Sequence, residues 1–65
     1  MINPKYVFAV WNIARAYSRL NQKDEALKYL KKAIELDKRL IQNAKTEKAF
    51  DNIRNDPEFK KLIAD

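Results

Sequence analysis

Few side chains in this sequence could carry covalent or acid–base chemistry. It contains no Cys and no His, which removes thiolate nucleophiles, disulfides and the commonest metal ligand and general base. The side-chain hydroxyls belong to Ser18, Thr46, Tyr6, Tyr17 and Tyr29, and the spacing sets no base beside any of them. Asp24-Glu25 is an adjacent carboxylate pair, but it opens an apolar-periodic stretch, where acids suit the positive end of a helix dipole. Gly is absent as well, so the glycine-rich loops that cradle phosphates are excluded. The expectation is a protein without catalytic residues, metal or cofactor.

The chemistry left is recognition. Fourteen Lys/Arg against nine Asp/Glu give a net charge of +5, and the cluster Lys28, Lys31 and Lys32 could contact phosphates while aromatic side chains stack on bases. Against this, Asp24 and Glu35 stand four residues before Lys28 and Arg39, the ordinary layout of a solvated helix face. A basic helical nucleic-acid-binding module is therefore the alternative reading and not the leading one. The longest unbroken apolar run, Tyr6 to Trp11, falls far short of the ~18 residues that cross a bilayer. Nothing at the start has the cationic lead and small-residue cleavage site of a signal peptide. The expected setting is the cytoplasm, with no membrane partner.

The elements that must position these groups read as helices. Asn3-Pro4 is an N-cap followed by proline at the first helical position, where a missing N–H costs nothing. A helix over 4–20 then carries Val7, Val10, Ala14, Tyr17 and Leu20 on one stripe and Phe8, Trp11 and Arg15 on its neighbour. The polar break Asn21-Gln22-Lys23 is short enough to turn the next helix antiparallel. That helix, over 24–37, has one apolar stripe of Leu27, Leu30 and Ile34 and an adjacent one of Ala26, Tyr29, Ala33, Leu36 and Leu40. So broad a face implies two packing neighbours. Downstream, Leu40, Ile41 and Ala44 mark a short helical turn, and Thr46 can cap a two-turn helix carrying Ala49, Phe50 and Ile53. Asp56-Pro57-Glu58 is a strong helix start leading to Phe59, Leu62 and Ile63. The short helices of 38–65 are expected to lie on the Tyr29/Ala33/Leu36/Leu40 stripe through Phe50, Ile53, Phe59 and Leu62.

Residues 7–40 resemble the tetratricopeptide repeat, a helix–turn–helix of about 34 residues with the signature W-x2-L-G-x2-Y…A-x3-F…P. The matching positions read Val10-x2-Ile13-Ala14-x2-Tyr17, then Ala26-x3-Leu30, Ala33 and Lys38. Departures are Val10 for the Trp (with Trp11 one place on), Ala14 for the Gly and Lys38 for the Pro. The pattern has a physical basis: helices approach to about 8–10 Å where small side chains meet and larger ones fill the grooves beside them. One repeat period after Tyr17 and Ala26 lie Asp51 and Lys60, so no second repeat follows. The tail, Phe50-x-x-Ile53-Arg54-x-Asp56-Pro57-x-Phe59-x-x-Leu62, is similar to segments that close bacterial arrays of this family.

The resemblance implies an all-α domain whose ligands lie along the face of the first helix. The positions mapping there are Phe8, Trp11, Asn12, Arg15, Ser18 and Arg19. Aromatic and Arg side chains are the types that anchor interfaces, and Arg15 with Arg19, one turn apart, could hold carboxylates of an acidic peptide. The Lys and Asn with which some relatives clamp a terminal carboxylate are not reproduced. Phe8 and Trp11 equally fit a core role, covered by the tail, by a preceding repeat or by a second copy of the chain. A lone repeat rarely buries its own faces. The sequence thus predicts a single small non-enzymatic module for protein–protein interaction or scaffolding, either the terminal repeat of an array or a small homo-oligomer associating through its first helix.

Overall fold

The computed structural model describes residues 4–64, so the expected cap at Asn3 lies outside the described residues. These residues form four α-helices and a short 3-10 turn, with no strand among them: α1 (Pro4–Arg19), α2 (Lys23–Leu36), α3 (Leu40–Thr46), the 3-10 turn Lys48–Phe50, and α4 (Pro57–Ile63). The architecture is all-helical, a hairpin of α1 and α2 followed by short helices.

The hairpin turn works without glycine. Asn21 takes the left-handed conformation, φ 61°, just past the end of α1. The Gln22 N–H donates to the Tyr17 carbonyl at 2.9 Å and the Asn21 N–H to the Ser18 carbonyl at 3.0 Å. This pair of bonds is a Schellman cap, with Asn as the residue that tolerates positive φ. Leu20, expected on the core stripe, is carried outward by this turn and is 66% exposed.

Asp37 stops α2 where the repeat signature has proline and this chain has Lys38. Its backbone is extended (φ −152°, ψ 102°), and its carboxylate accepts the Arg39 N–H and Nε, each at 3.0 Å, and Nη2 at 2.8 Å. Arg39 is thereby tied to Asp37, not to Glu35 as the four-residue spacing predicted. The side-chain and backbone hydrogen bonds from Arg39 hold the Asp37 carboxyl below its ordinary pKa.

The expected two-turn helix after Thr46 does not form. Thr46 closes α3, and the chain continues through tight three-residue pitches, with the Ile53 N–H donating to the Phe50 carbonyl at 3.0 Å. Ala49, Phe50 and Ile53 are all buried, and the three-residue pitch puts Phe50 and Ile53 on the same side. Arg54 locks this segment onto the end of α3, its guanidinium donating to the carbonyls of Ala44 (3.3 Å), Lys45 (2.6 Å) and Glu47 (2.6 Å). α4 starts on Asp56, whose carboxylate accepts the Glu58 N–H at 2.8 Å, with Pro57 in the first turn.

One apolar cluster joins all of this. Ala14, Ala26 and Ala33 are fully buried, letting α1 and α2 close along their length, and this is the most extensive contact in the fold. The tail does not take the stripe assigned to it. Tyr29 stacks on Tyr17 of α1, centroids 5.7 Å apart and planes 13° from parallel. The tail lies instead beside the Leu27/Leu30/Ile34 stripe: Lys23 pairs with Asp56 at 3.0 Å, and Leu27 and Leu62 line one groove. Because the small alanines draw α1 onto the Tyr29 side, only the second stripe is left for the tail. Phe50 and Phe59 of the tail are fully buried, centroids 5.8 Å apart.

Candidate functional site

The first helix offers two faces besides the one packed on α2, and the structure treats them differently. On one edge, Trp11, Arg15 and Ser18, at successive turns, are covered by the tail. The Trp11 ring meets Phe50 edge-on at 5.2 Å. Arg15 Nε donates to Glu47 at 3.0 Å, and its Nη1 to the Asn12 side-chain carbonyl at 3.0 Å. Asn52 Nδ2 donates to the Ser18 carbonyl at 3.1 Å. Trp11 is 7% exposed and Ser18 fully buried, its Oγ without a hydrogen-bond partner among the described residues. Of the six positions mapped to a partner-binding face, these three therefore face the protein's own tail. Phe8, Asn12 and Arg19 are exposed.

Phe8, 62% exposed, borders a groove of about 500 Å³ where the hairpin opens, lined by Val7, Leu36, Leu40, Asp37, Arg39 and Asn43. Its walls are aliphatic and its rim carries the Asp37–Arg39 pair, whose charges are matched to each other. The groove holds no group poised for proton transfer. No cluster of three or more metal-ligating side chains occurs among the described residues, and no helix there is long and apolar enough to cross a membrane.

The opposite edge of α1 carries a second apolar stripe that the sequence reading did not single out. Tyr6, Ala9, Ile13, Ala16 and Leu20 follow alternating three- and four-residue steps, which keeps them on one side of a helix. All five are exposed, Tyr6 by 45% and Ile13 by 40%. The spacing was readable. Its position was not, because periodicity alone does not say which of several apolar stripes faces solvent.

On the α2 side of this stripe, Lys32 Nζ lies 5.7 Å from the Tyr6 ring centroid, with Glu35 close enough to act on it; Lys28 lies instead by Tyr29, off the stripe. A hydrogen bond to the Tyr6 side chain raises the Lys32 pKa, so this ammonium stays charged well above neutral pH. On the other side, Lys5, Asn12 and Arg19 recur every seven residues along the flank, with exposed side chains.

A model of the family described as "Tetratricopeptide repeat" matches residues 9–39. Neither curated proteins nor solved structures give a match to the chain. The matched segment runs from the second turn of α1 through α2 to Arg39, and the tail that covers Trp11 lies beyond it. The chain carries a tetratricopeptide repeat at residues 9–39.

Proposed function

We propose that this protein is a non-catalytic protein–protein interaction module that receives its partner on the outward face of α1. One observation carries this reading. The tail already seals the Trp11/Arg15/Ser18 edge, whereas Tyr6, Ile13 and Leu20 stay exposed on a continuous stripe. An apolar helix face of this kind, rimmed by polar residues, is the usual mark of an interaction surface. Phe8, Asn12 and Arg19 extend the same surface toward the sealed edge, so part of the face mapped from the repeat is available to a partner.

The test is site-specific photocrosslinking in cells. A photoreactive residue at Ile13 should yield a discrete adduct with another protein, while the same residue at exposed Asn55 in the tail should not. Adducts to nucleic acid alone, or equal adducts from both positions, would remove the interaction reading in favour of a basic nucleic-acid-binding module or an inert cap.

A further inference from the structure

We infer that the partner seated on α1 is a second copy of this chain, laid antiparallel on the Tyr6, Ala9, Ile13, Ala16 and Leu20 stripe about a two-fold axis. This rests on the interaction reading above and adds the partner's identity and register.

The register follows from side-chain size. Along the stripe large and small residues alternate, and all five are exposed. Tyr6, Ile13 and Leu20 fall at one position of a seven-residue repeat and Ala9 and Ala16 at another, the two positions by which one helix seats on its neighbour. A two-fold contact uses the same patch on both copies, so the patch must complement itself. This stripe does so when the chains run antiparallel. Ile13 then meets Ala16 of the second copy, Leu20 meets Ala9, and the reciprocal contacts follow by symmetry. Each of these layers sets a large side chain into the hollow over an alanine, which lets the two helices approach closely. A parallel pair would set Ile13 on Ile13 and alanine on alanine, alternating crowded layers with gaps.

Charge agrees with the same arrangement. Glu25 and Lys32 stand seven residues apart on α2 and so share one side of it. Lys32 lies on the Tyr6 ring, and Glu25 lines a hollow together with Leu20. The border that α2 gives the stripe is therefore basic at one end and acidic at the other, and the two-fold brings Lys32 of each copy toward Glu25 of the other. Glu35 also acts on Lys32, and exposed pairs add little strength. They set direction, while the apolar layers supply the attraction. On the far flank this register leaves Lys5 about 7 Å out of step with Arg19 of the second copy along the axis. The net +5 per chain opposes association at low salt. The stripe is about 21 Å long and one helix, about 10 Å, wide, well short of the roughly 800 Å² per partner of a standard interface, so the dimer is weak.

The test is sedimentation equilibrium of the full chain from about 10 μM to about 1 mM, in about 0.5 M salt to screen the net charge. A concentration-dependent shift from monomer to dimer is expected. Ile13→Glu, at an exposed position, should weaken the dimer by about tenfold or more with unchanged circular dichroism. Ala16→Leu should weaken it as well, because the new side chain fills the hollow that Ile13 of the second copy occupies, whereas a contact without register would gain from the added apolar surface. The chain has no cysteine, so the register can be read directly: Ile13→Cys mixed with Ala16→Cys should give the mixed disulfide in preference to either homodisulfide. A monomer throughout, a dimer indifferent to Ile13→Glu or strengthened by Ala16→Leu, or a preferred homodisulfide at Ile13→Cys would each overturn the inference. A monomer that still gives an adduct to a different protein at Ile13 overturns this inference and leaves the interaction reading standing.

Discussion

Asn21 shows how a chain without glycine turns a helical hairpin. Its φ of 61° places a Cβ in the left-handed region at a cost of about 1 kcal/mol relative to glycine, which its short amide side chain partly offsets. Asn21→Gly is therefore expected to raise the melting temperature, and Asn21→Ala to lower stability by about 1 kcal/mol. In a domain this small that is roughly 4–8 °C in a circular-dichroism melt. Asp56 carries the pH dependence. The hydrogen bond from Lys23 lowers its pKa below the ordinary 3.8, burial works against this, and the Glu58 N–H assists. The unfolded chain then binds this proton more readily than the folded one. The stabilisation is present above the ordinary carboxylate range and is lost as pH falls through the depressed value of Asp56. Asp37 acts in the same direction through Arg39. Melts recorded from about pH 7 down to about pH 3 should show this acid-side loss, and Asp56→Asn should flatten it; an unchanged profile would mean that the pair with Lys23 does not form in solution.

At the scale of elements, the tail completes the core of the hairpin. Phe50 is fully buried between Trp11 and Phe59, and truncating a buried Phe to Ala costs about 3–5 kcal/mol. A core of this size supplies about as much in total. Phe50→Ala is accordingly expected to abolish cooperative unfolding and to shift the emission of Trp11, the sole tryptophan, to the red. Ile13→Glu should leave that emission unchanged, because Ile13 lies on the opposite edge. These elements were unequally legible in the sequence. The hairpin was readable because Ala14, Ala26 and Ala33 announce a close helix crossing, and α4 because Asp56-Pro57-Glu58 supplies cap, proline and acid together. The docking side of the tail was not, since α2 presents two apolar stripes. The choice between them is made by contacts remote in sequence: Arg15 with Glu47, Lys23 with Asp56, Trp11 with Phe50. The contacts of Glu47 and Phe50, with that of Asn52 to the Ser18 carbonyl, drew Trp11, Arg15 and Ser18 out of the mapped partner face. Asp37 hid for another reason, since a carboxylate that ends a helix through its second neighbour has no periodic signature.

For the molecule as a whole, the balance between partner binding and self-association is set by charge. At +5, two copies of the chain repel one another while an acidic partner is attracted. Salt acts on these two processes with opposite sign. At about 0.1 M the Debye length is about 10 Å, so further salt screens both the repulsion and the attraction. The apolar contribution of Tyr6, Ile13 and Leu20 is not screened in this way. Affinity for an acidic partner should therefore fall as ionic strength rises from about 0.05 M to about 0.5 M, chiefly through slower association. Any homodimer should strengthen over the same range. Sedimentation and anisotropy across one salt series measure both slopes on the same preparation. A falling dimer population with salt would mean that copies meet through opposite charges rather than through the apolar contact of Tyr6, Ile13 and Leu20.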